Sequence, residues 1–218
     1  MAVHIDIANL GIAQIFAKLG YPTMTVSPLL PNQFAQRRYS FSRYSLLPLR
    51  SDALWVLATG VVRTLTVQEE GNSVILGLWG PGDIVGRVLS QTDPYQIECL
   101  TSVEASLLPS SRWDQATESM ITHIQRSEEL REILHCRQTE ALLIRLLTWL
   151  AKRFGQKVEQ GQLIDLRLTH QDLADLVGLT RVTVTRVLND LEQQGIIQRK
   201  RRQAIVLHDQ SSFWHYKI

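Results

Sequence analysis

Arg181 and Arg186 stand five positions apart in the run Thr180-Arg-Val-Thr-Val-Thr-Arg. A guanidinium offers a planar fork of N–H donors, and guanine O6 and N7 in a major groove are a matching pair of acceptors. Wound as a helix, the run puts Arg181, Val182, Thr185 and Arg186 on one side. Val184, Val187, Leu188 and Leu191 fall on the other, where they can be buried. Such a helix could read base edges with its exposed half. Thr169, Gln171, Thr180 and Thr183 carry hydroxyl or amide groups suited to phosphate oxygens, which fix register. A basic block follows, Arg199-Lys200-Arg201-Arg202, and Lys200, Arg201 and Arg202 are candidates for further phosphate contacts.

The flanking residues predict the elements that must hold these groups. Thr169 can cap a first helix, with Asp172 in its first turn. Leu173, Ala174 and Val177 form its inner face, and the small Ala174 lets a second helix come close. Gly178 can supply the positive φ of a turn, Thr180 caps the second helix, and Gln194-Gly195 ends it. Ile196-Ile-Gln-Arg and Gln203-Ala-Ile-Val-Leu then flank the basic block as a hairpin. Residues from about Leu166 to Leu207 thus read as a winged helix-turn-helix for duplex DNA. A helix pair that merely packs a core is the plainer alternative. The small residue, the turn glycine, the inward apolar set and two outward arginines together favour DNA.

Upstream the pattern changes. Ile7, Leu10, Ile15, Phe16 and Leu19 recur at helical spacing before Gly20-Tyr-Pro stops them. From about Phe41 to Leu108, short β-branched runs separated by Gly-containing breaks predict antiparallel strands in a barrel or roll. Ala116 to Arg137 predicts a long helix whose Met120, Ile121, Ile124, Leu130 and Leu134 could form a dimer seam. A second amphipathic helix runs from Leu142 to Phe154 and closes at Gly155, and Gln156 to Gly161 reads as a loop. The expected class is α+β: an N-terminal antiparallel β-roll over 1–115, a dimerisation helix over 116–138 and a winged helix-turn-helix over 139–218.

Composition narrows the function classes. The net charge of +2 says little, but from Gly161 onward eight Lys/Arg face six Asp/Glu. Cys99 and Cys136 form no Cys-x-x-Cys pair and read as ordinary packed side chains. His135 and Cys136 point about 100° apart on a helix, and no metal site is expected. No apolar run approaches the roughly 20 residues of a membrane span, and the start lacks a secretory pattern, so the expected location is cytoplasmic.

The order of roll, long helix and winged helix-turn-helix resembles the Crp/Fnr family of transcriptional regulators, over roughly Tyr44 to Leu207. Thr180-Arg-Val-Thr-Val-Thr-Arg is most similar to the recognition helix of the cyanobacterial global nitrogen regulator, which reads a GTA…TAC palindrome. The resemblance implies a homodimer on palindromic double-stranded DNA, with RNA polymerase as a further partner. Many members have Glu where Val182 stands, so a TGTGA-type half-site is not implied. Cyclic-nucleotide members carry Gly-Glu for the ribose and Arg-Ser/Thr for the phosphate. Here Gly86 precedes Arg87, and Ser90-Gln-Thr-Asp-Pro-Tyr-Gln-Ile offers Asp93 and no arginine. An acid there would repel a cyclic phosphate, so cyclic AMP is not expected. The N-terminal cysteine cluster of iron–sulfur members is missing too. The nitrogen regulator's 2-oxoglutarate needs cationic partners, for which Arg87, Arg126 and Arg131 are the candidates in an unidentified anion site. Two rival readings stand beside this one: a nucleotide-binding regulatory subunit controlling a partner protein, and a nucleic-acid enzyme holding substrate on its winged domain. The first lacks the phosphate arginine. The second lacks any Ser/His/Asp set, phosphate loop or metal cluster.

Overall fold

Glycine breaks and β-branched runs set the first half of the structure, a computed structural model that describes residues 37–208. Strands β1 (Arg38–Phe41), β2 (Ala53–Thr59), β5 (Ile84–Val85) and β7 (Val103–Pro109) form one antiparallel sheet in the order β1-β7-β2-β5. Strands β3 (Val62–Val67), β4 (Ser73–Trp79) and β6 (Gln96–Cys99) form another, ordered β4-β3-β6. The expected β-roll is therefore present. The expected helix over Ile7–Leu19 lies outside the described residues. Gly60 turns β2 into β3 at φ 80°, where an added Cβ would meet Ser102 O at 2.1 Å. Trp55, Trp79, Tyr95 and Ile97 fill the space between the sheets, with Trp79 Nε1 donating to Thr64 Oγ1 at 3.0 Å.

Helix α1 (Thr117–Leu134) follows a 3-10 segment and leads to α2 (Thr139–Phe154). The apolar residues expected to make one seam on α1 are divided by the structure. Leu130 is only 4% exposed and Leu134 packs against the chain's own core, whereas Ile121 and Ile124 are 51% and 59% exposed. Met120 is half-buried. The reason is angular: nine residues at about 100° each put Ile121 and Leu130 on opposite sides of a helix. The exposed apolar side of α1 therefore centres on Ile121 and Ile124.

The expected loop at 156–161 is instead mostly strand. Strands β8 (Gln156–Val158) and β9 (Gly161–Ile164) form a hairpin that joins β10 (Ile197–Arg199) and β11 (Ile205–His208) in the order β10-β11-β9-β8. Three residues give too little alternation to announce a strand, and β9 is held by β11, from Ile164 opposite Ile205 to Gly161 opposite His208. Helix α3 (His170–Val177) packs on β4 of the roll and on α4 (Arg181–Gln193), which packs in turn on β10 and on α2.

One hydrophobic core links roll and helices. Val61, Ile75, Leu78 and Leu100 from the roll join Leu143, Leu146 and Leu150 of α2 and the inner faces of α3 and α4. Two ionic clusters reinforce it. Asp83, 3% exposed, accepts from Gly80 N and Arg153 at 2.8 and 2.7 Å and also pairs with Arg126 of α1. Arg63 on β3 pairs with Glu98 at 2.9 Å and with Asp172 of α3 at 2.6 Å. A carboxylate this deeply buried is tolerable only because its lone pairs are taken by charged donors.

Candidate nucleic-acid interface

Helix α3 begins with a capping box: Thr169 Oγ1 accepts from Asp172 N at 3.0 Å, and Asp172 Oδ2 accepts from Thr169 N at 2.8 Å. It ends at Gly178 with φ 67°, a left-handed position that costs glycine least. Thr180 caps α4 by accepting from Thr183 N at 3.2 Å. Val184, Val187, Leu188 and Leu191 are buried, as the helical spacing predicts. Ala174 is fully buried where α3 and α4 meet.

The opposite face of α4 is open. Arg181, Val182, Thr185 and Arg186 line a surface hollow with Asn189 and Gln193. Val182 is 77% exposed on this face. Arg181 and Arg186 are exposed, and neither guanidinium is held by a hydrogen bond or ion pair among the described residues. Arg199 differs: it chelates Glu192 with Nε and Nη2 at 2.8 and 2.5 Å and holds that carboxyl below its ordinary range. Of the basic block, Lys200, Arg201 and Arg202 stay exposed at the hairpin tip. Arg202 and Gln203 take positive φ there, so the tip turns sharply between β10 and β11.

The four hydroxyl and amide groups separate by role. Thr169 and Thr180 serve as helix caps, and Thr180 Oγ1 also lies 2.8 Å from Thr183 Oγ1. Gln171 is exposed and donates to Asp175 at 2.6 Å. A second hollow of about 450 Å³ gathers Thr169, Gln171 and Arg181 with two residues the sequence pattern did not single out, His170 and Gln203. Their signal was weak: one polar residue between two others, and one beside a basic block.

The three arginines proposed for an anionic effector have separate surroundings. Arg87 donates to Ser90 O and Thr92 O at 2.6 and 3.0 Å and lies 3.8 Å from Asp93. Arg126 is taken by Asp83, and Arg131 is exposed on α1. Arg87 and Asp93 thus face each other.

A capped helix pair with an exposed outer face and a basic hairpin, joined to an antiparallel roll, is the architecture of a winged helix-turn-helix regulator. The chain belongs to the Crp/Fnr family of transcriptional regulators. Residues 143–213 match the Crp-like helix-turn-helix domain and residues 50–120 the cyclic nucleotide-binding domain. The chain is 41% identical over 189 residues to the regulatory protein CysR of Synechococcus elongatus, covering 85% of this chain and 91% of that one. It is 30% identical over 172 residues to the global nitrogen regulator of a Nostoc species, covering 72% and 77%. A CRP-family transcriptional regulator of Thermus thermophilus has the same fold, with a TM-score of 0.68 at 24% identity over 78% of this chain and 92% of that one.

Proposed function

We propose that this regulator binds a palindromic duplex as a homodimer, inserting the first half of α4 into the major groove at each half-site. The observation that carries the reading is a pair of unengaged arginines flanking an exposed valine on one helix face. Arg181 and Arg186 are fitted to guanine O6 and N7, and Val182 to the methyl group of a thymine between them. A carboxylate at that position would accept from cytosine N4, and valine cannot, so the half-site differs from the TGTGA type. Thr169, Gln171, Thr180, Thr183, Lys200, Arg201 and Arg202 hold the phosphates.

The dimer forms through the exposed face of α1, around Ile121 and Ile124, and sets half-sites about one helical turn apart. The protein works in the cytoplasm, with RNA polymerase as a further partner, and catalyses nothing. Among the described residues no helix is long and apolar enough to cross a membrane.

The roll does not answer to cyclic AMP. Arg87 stands where a ribose-binding acid is expected, and its charge is already taken by two carbonyls and Asp93. The roll either binds an unidentified small anion near Arg87 or works without an effector. Selection of bound duplexes from a random pool tests the DNA reading: a palindrome carrying guanine and thymine in each half supports it, and enrichment of no sequence overturns it. Calorimetry with cyclic AMP and with 2-oxoglutarate tests the sensor. Micromolar binding of cyclic AMP would refute its exclusion.

A further inference from the structure

His170, the first residue of α3, lies half-buried in the hollow that it shares with Thr169, Gln171, Arg181 and Gln203. Its Nδ1 is 2.8 Å from Thr185 Oγ1. That hydroxyl gives its proton to Arg181 O, also at 2.8 Å. A hydroxyl has a single proton to donate, so the ring must be the donor in the other bond. Nδ1 therefore carries hydrogen, and in the neutral ring Nε2 is left with a lone pair. Among the described residues no hydrogen bond engages it.

That tautomer has a chemical consequence. A lone pair cannot approach a phosphate oxygen, because acceptor would face acceptor. One added proton turns Nε2 into a charged donor and leaves the hold on Thr185 intact. The charged groups acting on the ring are Arg181 of α4 and Arg199 of β10. On its own helix, Asp172 is occupied by Thr169 and Arg63. Burial first, and then the two arginines, hold the free protein's imidazole below its ordinary 6.5. A phosphate in the hollow brings a negative charge beside the ring and Arg181, which favours the protonated imidazole and opposes that balance.

The geometry points to this hollow as the seat of one DNA backbone phosphate, and to His170 as the residue that takes up a proton to hold it. The inference rests on α4 being the DNA-reading helix. DNA then binds more tightly as pH falls, because the complex holds one more proton than the free protein. The dependence is the same for any sequence, since every duplex offers the phosphate.

The test is fluorescence anisotropy of the full chain on its selected duplex and on a scrambled one, from pH 5.5 to 8.5 at fixed ionic strength. The expected Kd falls by up to tenfold per pH unit between the free and bound pKa values, on both duplexes. His170→Asn keeps an amide N–H near the place of Nδ1 and cannot take up a proton. It should show a flat profile from pH 5.5 to 8.5, and His170→Gln provides a second non-titrating variant should the first misfold. A purely structural role for His170 would weaken binding by one factor at every pH. A flat profile for the parent, or an undiminished slope in the variants, overturns the proposal. If the folded parent binds no duplex at any pH, the DNA-reading assignment fails along with it.

Discussion

Arg181 and Arg186 differ from Arg199 in what they touch, and under the proposed function the difference separates base contact from scaffolding. Arg199 is spent on Glu192, so Arg199→Ala should destabilise the hairpin before it alters sequence preference. Arg181→Ala and Arg186→Ala should each cost about 1–3 kcal/mol of specific affinity and relax one base position. Arg201→Ala should weaken all sequences alike and flatten the salt slope by about one unit. Competition binding against single-base variants of the selected site checks Arg181→Ala and Arg186→Ala, a salt titration checks Arg201→Ala, and thermal melting checks Arg199→Ala. Survival of full selectivity without Arg181 and Arg186 would show that α4 is not the reading helix. His123 makes a prediction of another kind. Its ring stacks on Trp79 with centroids 3.8 Å apart and donates from Nδ1 to Ile84 O at 3.1 Å. Burial pushes its pKa down to about 4, against an ordinary 6.5. The folded state therefore favours the neutral ring: its contribution is intact above pH 6.5 and is lost as pH falls toward 4. The full span is worth about 3 kcal/mol. His123→Phe keeps the stack and should melt with a weaker pH dependence between 6.5 and 4 in calorimetry.

At the scale of elements, α1 shows where periodicity informs and where it misleads. Apolar residues at mixed three- and four-residue steps announced a helix correctly, and DNA-side helices α3 and α4 were legible down to their caps. Which apolar face of α1 is covered was not legible, because a helix with apolar residues on two sides carries two surfaces to bury. Leu130 faces the shared core and Ile124 does not. A charge at Ile124 should therefore act on assembly and a charge at Leu130 on folding. Ile124→Glu is expected to sediment as a folded monomer with greatly reduced palindrome binding, and a stable dimer would move the interface elsewhere. The β8–β9 hairpin escaped the sequence for a related reason: its residues gain their strand character from β11, which lies more than forty positions downstream. The cap at Thr169, the turn glycine and the cap at Thr180 were legible because each is decided within four residues.

At the scale of the molecule, the Arg63 ion pair joins roll to DNA-binding helices through a residue that also caps α3. Arg63 and Asp172 expose only 15% and 17% of their side chains, so this is not a solvent-screened surface pair. Removing one partner should leave a poorly solvated charge, and Arg63→Met should cost about 3 kcal/mol. In a double-mutant cycle with Asp172→Asn, chemical denaturation should show a coupling above about 1 kcal/mol. Strict additivity would mean that the two charges do not act together. Local helix initiation and long-range docking are thus vested in one carboxylate.

The shared core has a consequence for recombination between regulators. Val61, Ile75, Leu78 and Leu100 belong to the roll by sequence, yet they complete the core that Leu143, Leu146 and Leu150 begin. A crossover placed at the obvious seam, between the roll and α1, would graft the helices onto a foreign floor. Exchange of sensing and DNA-reading halves is then least disruptive when donor rolls offer side chains of similar volume at those four positions and an arginine at the place of Arg63. Hybrids without them should have a lower Tm than either parent, even when every residue contacting DNA is preserved.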